Sequence, residues 1–170
     1  MTLLVVLLVA AAIVSTLAAA RAVRRSATRS IELSPGQPGR VPIAWAGAHS
    51  SEARAHRRLV AALRSARAAP GTSDATMSAE LTRLEEEAAH IEACLLAAAA
   101  VPGERRGPAV ERAVDLVERF ESMVADLVLA AGESPAALDR AVAESILRRA
   151  ALSEARLEVE RIDRRERTTE

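Results

Sequence analysis

The chain has 170 residues, half of them apolar, with 23 basic and 23 acidic residues, a single cysteine (Cys94) and a formal charge of zero. One cysteine excludes an internal disulfide, so nothing in the composition points to an oxidising compartment. Aromatic residues are limited to Trp45 and Phe120, and the alanine, leucine and arginine that dominate instead favour helices over strands.

Thr2 to Ala20 forms an unbroken uncharged run, TLLVVLLVAAAIVSTLAAA. As a helix rising about 1.5 Å per residue it spans roughly 28 Å, close to the hydrocarbon thickness of a bilayer. Residues 1–20 are therefore expected to be a transmembrane anchor. Arg21, Arg24, Arg25 and Arg29 follow directly, and positive charge beside a span stays on the cytoplasmic side. The expected topology is a single pass through the cell (inner) membrane, with the rest of the chain in the cytoplasm. A cleaved secretory signal is the alternative, with Ala18-Ala19-Ala20 as a cleavage site and a secreted helical protein as the product. Against it stand an overlong apolar core, no basic residue before that core, and arginines placed where they oppose translocation.

Residues 21–50 read as a basic juxtamembrane stretch and a connector broken by Pro35, Gly36, Pro38, Gly39 and Pro42. Within it, Val41 to Trp45 is an apolar patch. Its indole suits the headgroup layer, where the ring is half-buried and its N–H stays wet, and equally suits the flank of the following bundle.

Residues 51–170 are expected to fold as an antiparallel bundle of three to four helices, giving an all-α protein. The first helix, from Ser51 to Ala69, has Ser50 placed to cap it and Pro70-Gly71 to stop it. Arg54, Arg57, Arg58, Arg64 and Arg67 share one broad arc, and Ala55, Leu59, Ala62, Leu63 and Ala66 share the other. With Arg21, Arg24, Arg25, Arg29 and Trp45, those five arginines are the candidate contacts with an anionic inner leaflet. The alternative is that the arc docks on acidic residues of the later helices, near Glu85 to Glu87.

The second helix, about Asp74 to Ala100, carries a heptad seam of Met77, Leu81, Leu84, Ala88, Ile91, Leu95 and Ala98. The third starts at Pro108 and ends near Gly132, with a seam through Ala113, Val117, Phe120, Val124, Leu127 and Ala131. The fourth has Ser134 as cap and Pro135 as first residue, and continues towards Arg167. Its apolar stripe of Leu138, Val142, Ile146, Leu152, Val159 and Ile162 is interrupted by Arg149 and Arg156, and its charged end is expected to protrude. Short breaks at VPGERRG and GES make the last three helices antiparallel neighbours.

Charge is unevenly spread. Residues 1–69 hold ten arginines against two glutamates, a net of +8, and residues 70–170 carry a net of −8. The basic half is next to the anchor, which would attract it to the anionic leaflet and push the acidic half away. Arginine supplies every basic residue, a usage that resembles the small single-span membrane proteins of GC-rich bacteria in composition alone.

Catalytic chemistry is hard to find. Glu87-Ala-Ala-His90 has the E-x-x-H spacing of di-iron bundles but lacks a second E-x-x-H, so it reads as part of a solvated acidic run, Glu85 to Glu87. His49, Glu52 and His56 are spaced to touch one metal without a third strong ligand. Cys94 sits among apolar neighbours as an inert small hydrophobe. No phosphate loop, nucleophile elbow or H-E-x-x-H is present. Nucleic acid is not an expected partner, because the basic stretch carries no aromatic stacking platform. The expected function is that of a non-enzymatic, membrane-anchored interaction or scaffold protein without a cofactor. Its partners would be the lipid bilayer and either a protein or a second copy of itself. A bundle sensor or enzyme holding a ligand or metal is the competing class.

Overall fold

A computed structural model describes residues 41–71 and 74–168, apart from the side chains of Ala46, 158–160 and 162–168. The Thr2–Ala20 run, Arg21, Arg24, Arg25, Arg29 and the first part of the connector lie outside the described residues. Four α-helices make up nearly all of the rest: α1 (Ser51–Arg67), α2 (Ala75–Ala100), α3 (Arg106–Glu133) and α4 (Pro135–Thr168). Short 3₁₀ turns at Ile43–Ala46 and Gly103–Arg105 lead into α1 and α3. No strand occurs among the described residues. No helix among them is long and apolar enough to cross a membrane.

The breaks are chemical. After α1 the chain turns at Pro70-Gly71, where Gly71 takes φ +77°, a left-handed conformation that side-chain-bearing residues avoid. Asp74 caps α2 by accepting the Thr76 N–H at 2.9 Å, and Ser134 caps α4 by accepting the Ala137 N–H at 3.2 Å. Ser50 has the extended backbone of an N-cap, yet its hydroxyl makes no capping bond. The third helix begins at Arg106, two residues before Pro108, because Gly103–Arg105 already winds and hands over to it.

The helices form a bundle in which α3 is the central element, packed on α1, α2 and α4. On opposite flanks of it, α1 and α4 share no packed contact among the described residues. The inward face of α3 is apolar throughout: Ala113, Leu116, Val117, Phe120, Met123, Val124 and Leu127 are all buried. Phe120, the chain's only phenylalanine, is fully enclosed. On α1 the buried face includes Leu59, Val60, Leu63 and Ala66, and on α2 Met77, Leu84, Ala88, Ile91 and Leu95. Leu81, on the α2 seam in sequence, is only half-buried.

The fourth helix departs from its expected stripe. Leu138 and Leu152 are buried, but Ile146 is 51% exposed, and the inward position between them belongs to Ser145 at 1%. Three residues one heptad apart, Leu138, Ser145 and Leu152, therefore face the bundle. A serine is tolerated there because a buried carboxylate accepts its hydroxyl proton.

Candidate functional site

That carboxylate belongs to Glu80 on α2, which is fully buried. Glu80 Oε1 accepts the Ser145 hydroxyl at 2.6 Å and a guanidinium N–H of Arg149, both from α4. Arg83 of the same helix approaches Oε2 at 3.4 Å. Two more glutamates of α2 are buried, Glu92 at 5% and Glu87 at 8% exposure. Glu92 lies on the α1 side, where its Oε1 is 3.0 Å from Nε2 of the fully buried His56. The tautomer protonated at Nε2 donates to the carboxylate and leaves Nδ1 buried without a hydrogen bond. One heptad along α2 from Glu80, Glu87 is buried as well, and its Oε1 has no hydrogen-bond partner. The acidic run Glu85 to Glu87 is thus not uniformly solvated: only Glu86 is exposed.

The arginine arc of α1 divides. Arg57 turns back over the preceding segment and donates from one nitrogen to the carbonyls of Trp45 and Ala48, each at 2.8 Å. Arg58 reaches α3, where it donates to Glu121 and, at 3.3 Å, to Glu118. Its hydrogen bond to Glu121, with further help from Glu118, holds the guanidinium above its ordinary pKa against some desolvation. Arg67 donates to Glu85 on α2 from both Nε (2.9 Å) and a terminal nitrogen (2.7 Å). Arg54 and Arg64 are exposed and carry no ion pair among the described residues.

Trp45 is buried at 9% exposure and joins the bundle core with Val41. Its ring meets the His56 imidazole edge-on, with centroids 6.0 Å apart. Of the two placements open to this tryptophan in the sequence, the described arrangement is the core one. The last residues of the connector are therefore fastened to α1 twice, by the indole on His56 and by Arg57 on two backbone carbonyls.

The metal-like spacing on α1 scatters. His49 is exposed, Glu52 pairs with Arg106 at the start of α3, and His56 faces Glu92. On α2, Glu87 points inward and His90 outward. No group of three or more His, Cys, Asp or Glu side chains among the described residues is placed to hold a metal ion. Cys94 is half-buried and packs against the core. A cleft of about 300 Å³ between α3 and α4 is lined by Arg119, Ser122, Arg148, Ala151 and Leu152. Both of its arginines are already engaged, Arg119 by Asp115 and Arg148 by Asp126 and Glu144.

The buried acids of α2 are the feature that sequence reasoning missed. A signal for them exists. Arg149 and Arg156 break the α4 stripe one heptad apart, and Glu80 and Glu87 stand one heptad apart on a neighbouring helix. Comparison with protein-family models, with curated proteins and with solved structures finds no match for this chain.

Replacing Arg57 with Met should release the Trp45–Ala48 carbonyls. The expected result is a red shift in the emission of the chain's only tryptophan together with a lower melting temperature. Arg64→Met, at an exposed and unpaired position, should change neither.

Glu52 gives a pH prediction. Burial pushes its carboxyl up, but its own backbone N–H at the helix start and the Arg106 guanidinium more than reverse this, leaving the pKa below the ordinary 4.5. A carboxyl lowered on folding contributes stability above its unfolded pKa and loses it as pH falls through the folded value. Stability should therefore drop as the solution is acidified below about pH 4.5, the ordinary carboxylate value. Glu52→Gln should flatten that drop in acid titrations followed by circular dichroism.

Proposed function

We propose that the chain is a single-pass membrane protein. Residues 1–20 anchor it, the arginines after them fix the C-terminal side in the cytoplasm, and the bundle serves as a non-enzymatic interaction module held at the inner leaflet. The observation that carries the reading is the uncharged Thr2–Ala20 run bounded by Arg21, Arg24, Arg25 and Arg29. The bundle adds support of a different kind. Buried polar residues form helix-to-helix pairs, Glu80–Arg149 and His56–Glu92, and large apolar side chains lie outside, with Leu147 at 72% and Leu129 at 66% exposure. An outward apolar face on a helical module is a feature of interaction surfaces.

The role proposed for the arginines of α1 is narrower than a whole basic face. Arg54 and Arg64 are available to anionic headgroups, whereas Arg57, Arg58 and Arg67 already have acceptors within the chain. Juxtamembrane attraction is then carried mainly by Arg21, Arg24, Arg25 and Arg29, at about 1 kcal/mol for each residue near an anionic surface.

Expression of the full chain with a C-terminal reporter tests this. The protein should resist carbonate extraction from membranes, retain its first 20 residues, and place the reporter in the cytoplasm. Release of a protein that begins after Ala20 would establish the secretory alternative instead.

A further inference from the structure

We infer that the outward face of α4 is the contact surface for a second copy of this chain, packed antiparallel about a two-fold axis near Leu147. The inference deepens the interaction-module reading by naming the partner, and it holds whether or not residues 1–20 form an anchor.

The face is a second heptad seam. Arg140, Ala143, Leu147, Ala150, Glu154 and Leu157 follow one another in alternating steps of three and four residues, and all six are exposed. They lie opposite Leu138, Ser145 and Leu152, which face the bundle. Helix α4 consequently divides its apolar residues between two sides, and it is the least amphipathic of the four helices. A solvated helix needs no second seam, but a helix packed on both sides does.

Charge chooses the occupant and its direction. Arg140 and Glu154 stand one heptad to either side of Leu147, and neither makes an ion pair among the described residues; Arg140 only donates to the Ala136 carbonyl of its own helix at 3.3 Å. The order positive, leucine, negative is complementary to its own reverse. An antiparallel second copy brings each Arg140 within reach of the other's Glu154, and the alanines at 143 and 150 let the helices approach closely around Leu147. A parallel copy would set arginine beside arginine and glutamate beside glutamate, which disfavours it. A two-fold axis makes the contact isologous and closed, so it ends at a dimer.

Anchoring in one membrane is compatible with this geometry. An axis along the membrane normal lays both α4 helices flat to the surface. The twenty residues between Ala20 and Val41 reach up to roughly 70 Å when extended, ample slack for that orientation.

The test is cross-linking in intact cells that express the full chain with Cys94→Ala, so that each introduced cysteine is the only one. With a short membrane-permeant bis-maleimide, Leu147→Cys should give a covalent dimer, and Ala61→Cys on the exposed side of α1 should not. In the Leu147→Cys background, Arg140→Glu or Glu154→Arg alone should each cut the dimer yield roughly tenfold. The two reversals together should restore it. Equal cross-linking at positions 61 and 147, no dimer at 147, or a double reversal as poor as the single ones would overturn the interface. Fractionation of the same cells separates the two readings. A soluble chain with a charge-swappable dimer refutes the anchor alone, and a membrane-bound chain without one refutes the interface alone.

Discussion

Three carboxylates of α2 buried inside a small bundle are the constraint to which the other elements answer. A glutamate withdrawn from water without a partner is strongly destabilising; two of the three have a donor in place, while Glu87 Oε1 is buried without a hydrogen-bond partner. Glu92 meets His56 of α1, and Glu80 meets Ser145 and Arg149 of α4. These pairs hold α1 and α4 in register against α2 at single points, which apolar seams do less sharply. Leucine and alanine contacts tolerate a slide of one turn far better than a buried ion pair does.

Around that polar framework α3 supplies most of the continuous apolar surface. It packs against the three other helices, most extensively against α1 and α4, and its inner face from Ala113 to Leu127 carries no charge. Hydrophobic burial and ionic register are thus assigned to different helices. Helix α1 shows the same economy at the surface. The Arg58 pairs with Glu118 and Glu121 are solvent-exposed and worth about 0–1 kcal/mol. Arg57, by contrast, ties down backbone carbonyls and thereby orients the segment through which the bundle joins the rest of the chain.

Most helix boundaries were legible because they rest on local chemistry. Pro70-Gly71 and the Ser134-Pro135 start act within a few residues of themselves, and α3 reads correctly because its seam is purely apolar. Periodicity failed where a polar residue took an inward position. Ser145 and Arg149 could be assigned inward, and Ile146 outward, only with knowledge of Glu80 on the neighbouring helix. The same limit hid Glu87 and Glu92, since an acidic position on a helix is solvated unless another helix covers it. The arginine arc was legible as an arc, but its division among carbonyls, carboxylates and solvent depended on which neighbours faced each residue.

Paired charge on α2 holds the bundle's register, and a double-mutant cycle on Glu80 and Arg149 tests this most directly. Urea denaturation of the full chain in detergent would compare Glu80→Met, Arg149→Met and the double variant with the parent. Each single change should cost about 3–5 kcal/mol by leaving a buried group uncompensated, and the double variant should recover most of that loss. Two small, additive losses would contradict the account, because they would mean that the two side chains share a location without an energetic bond between them.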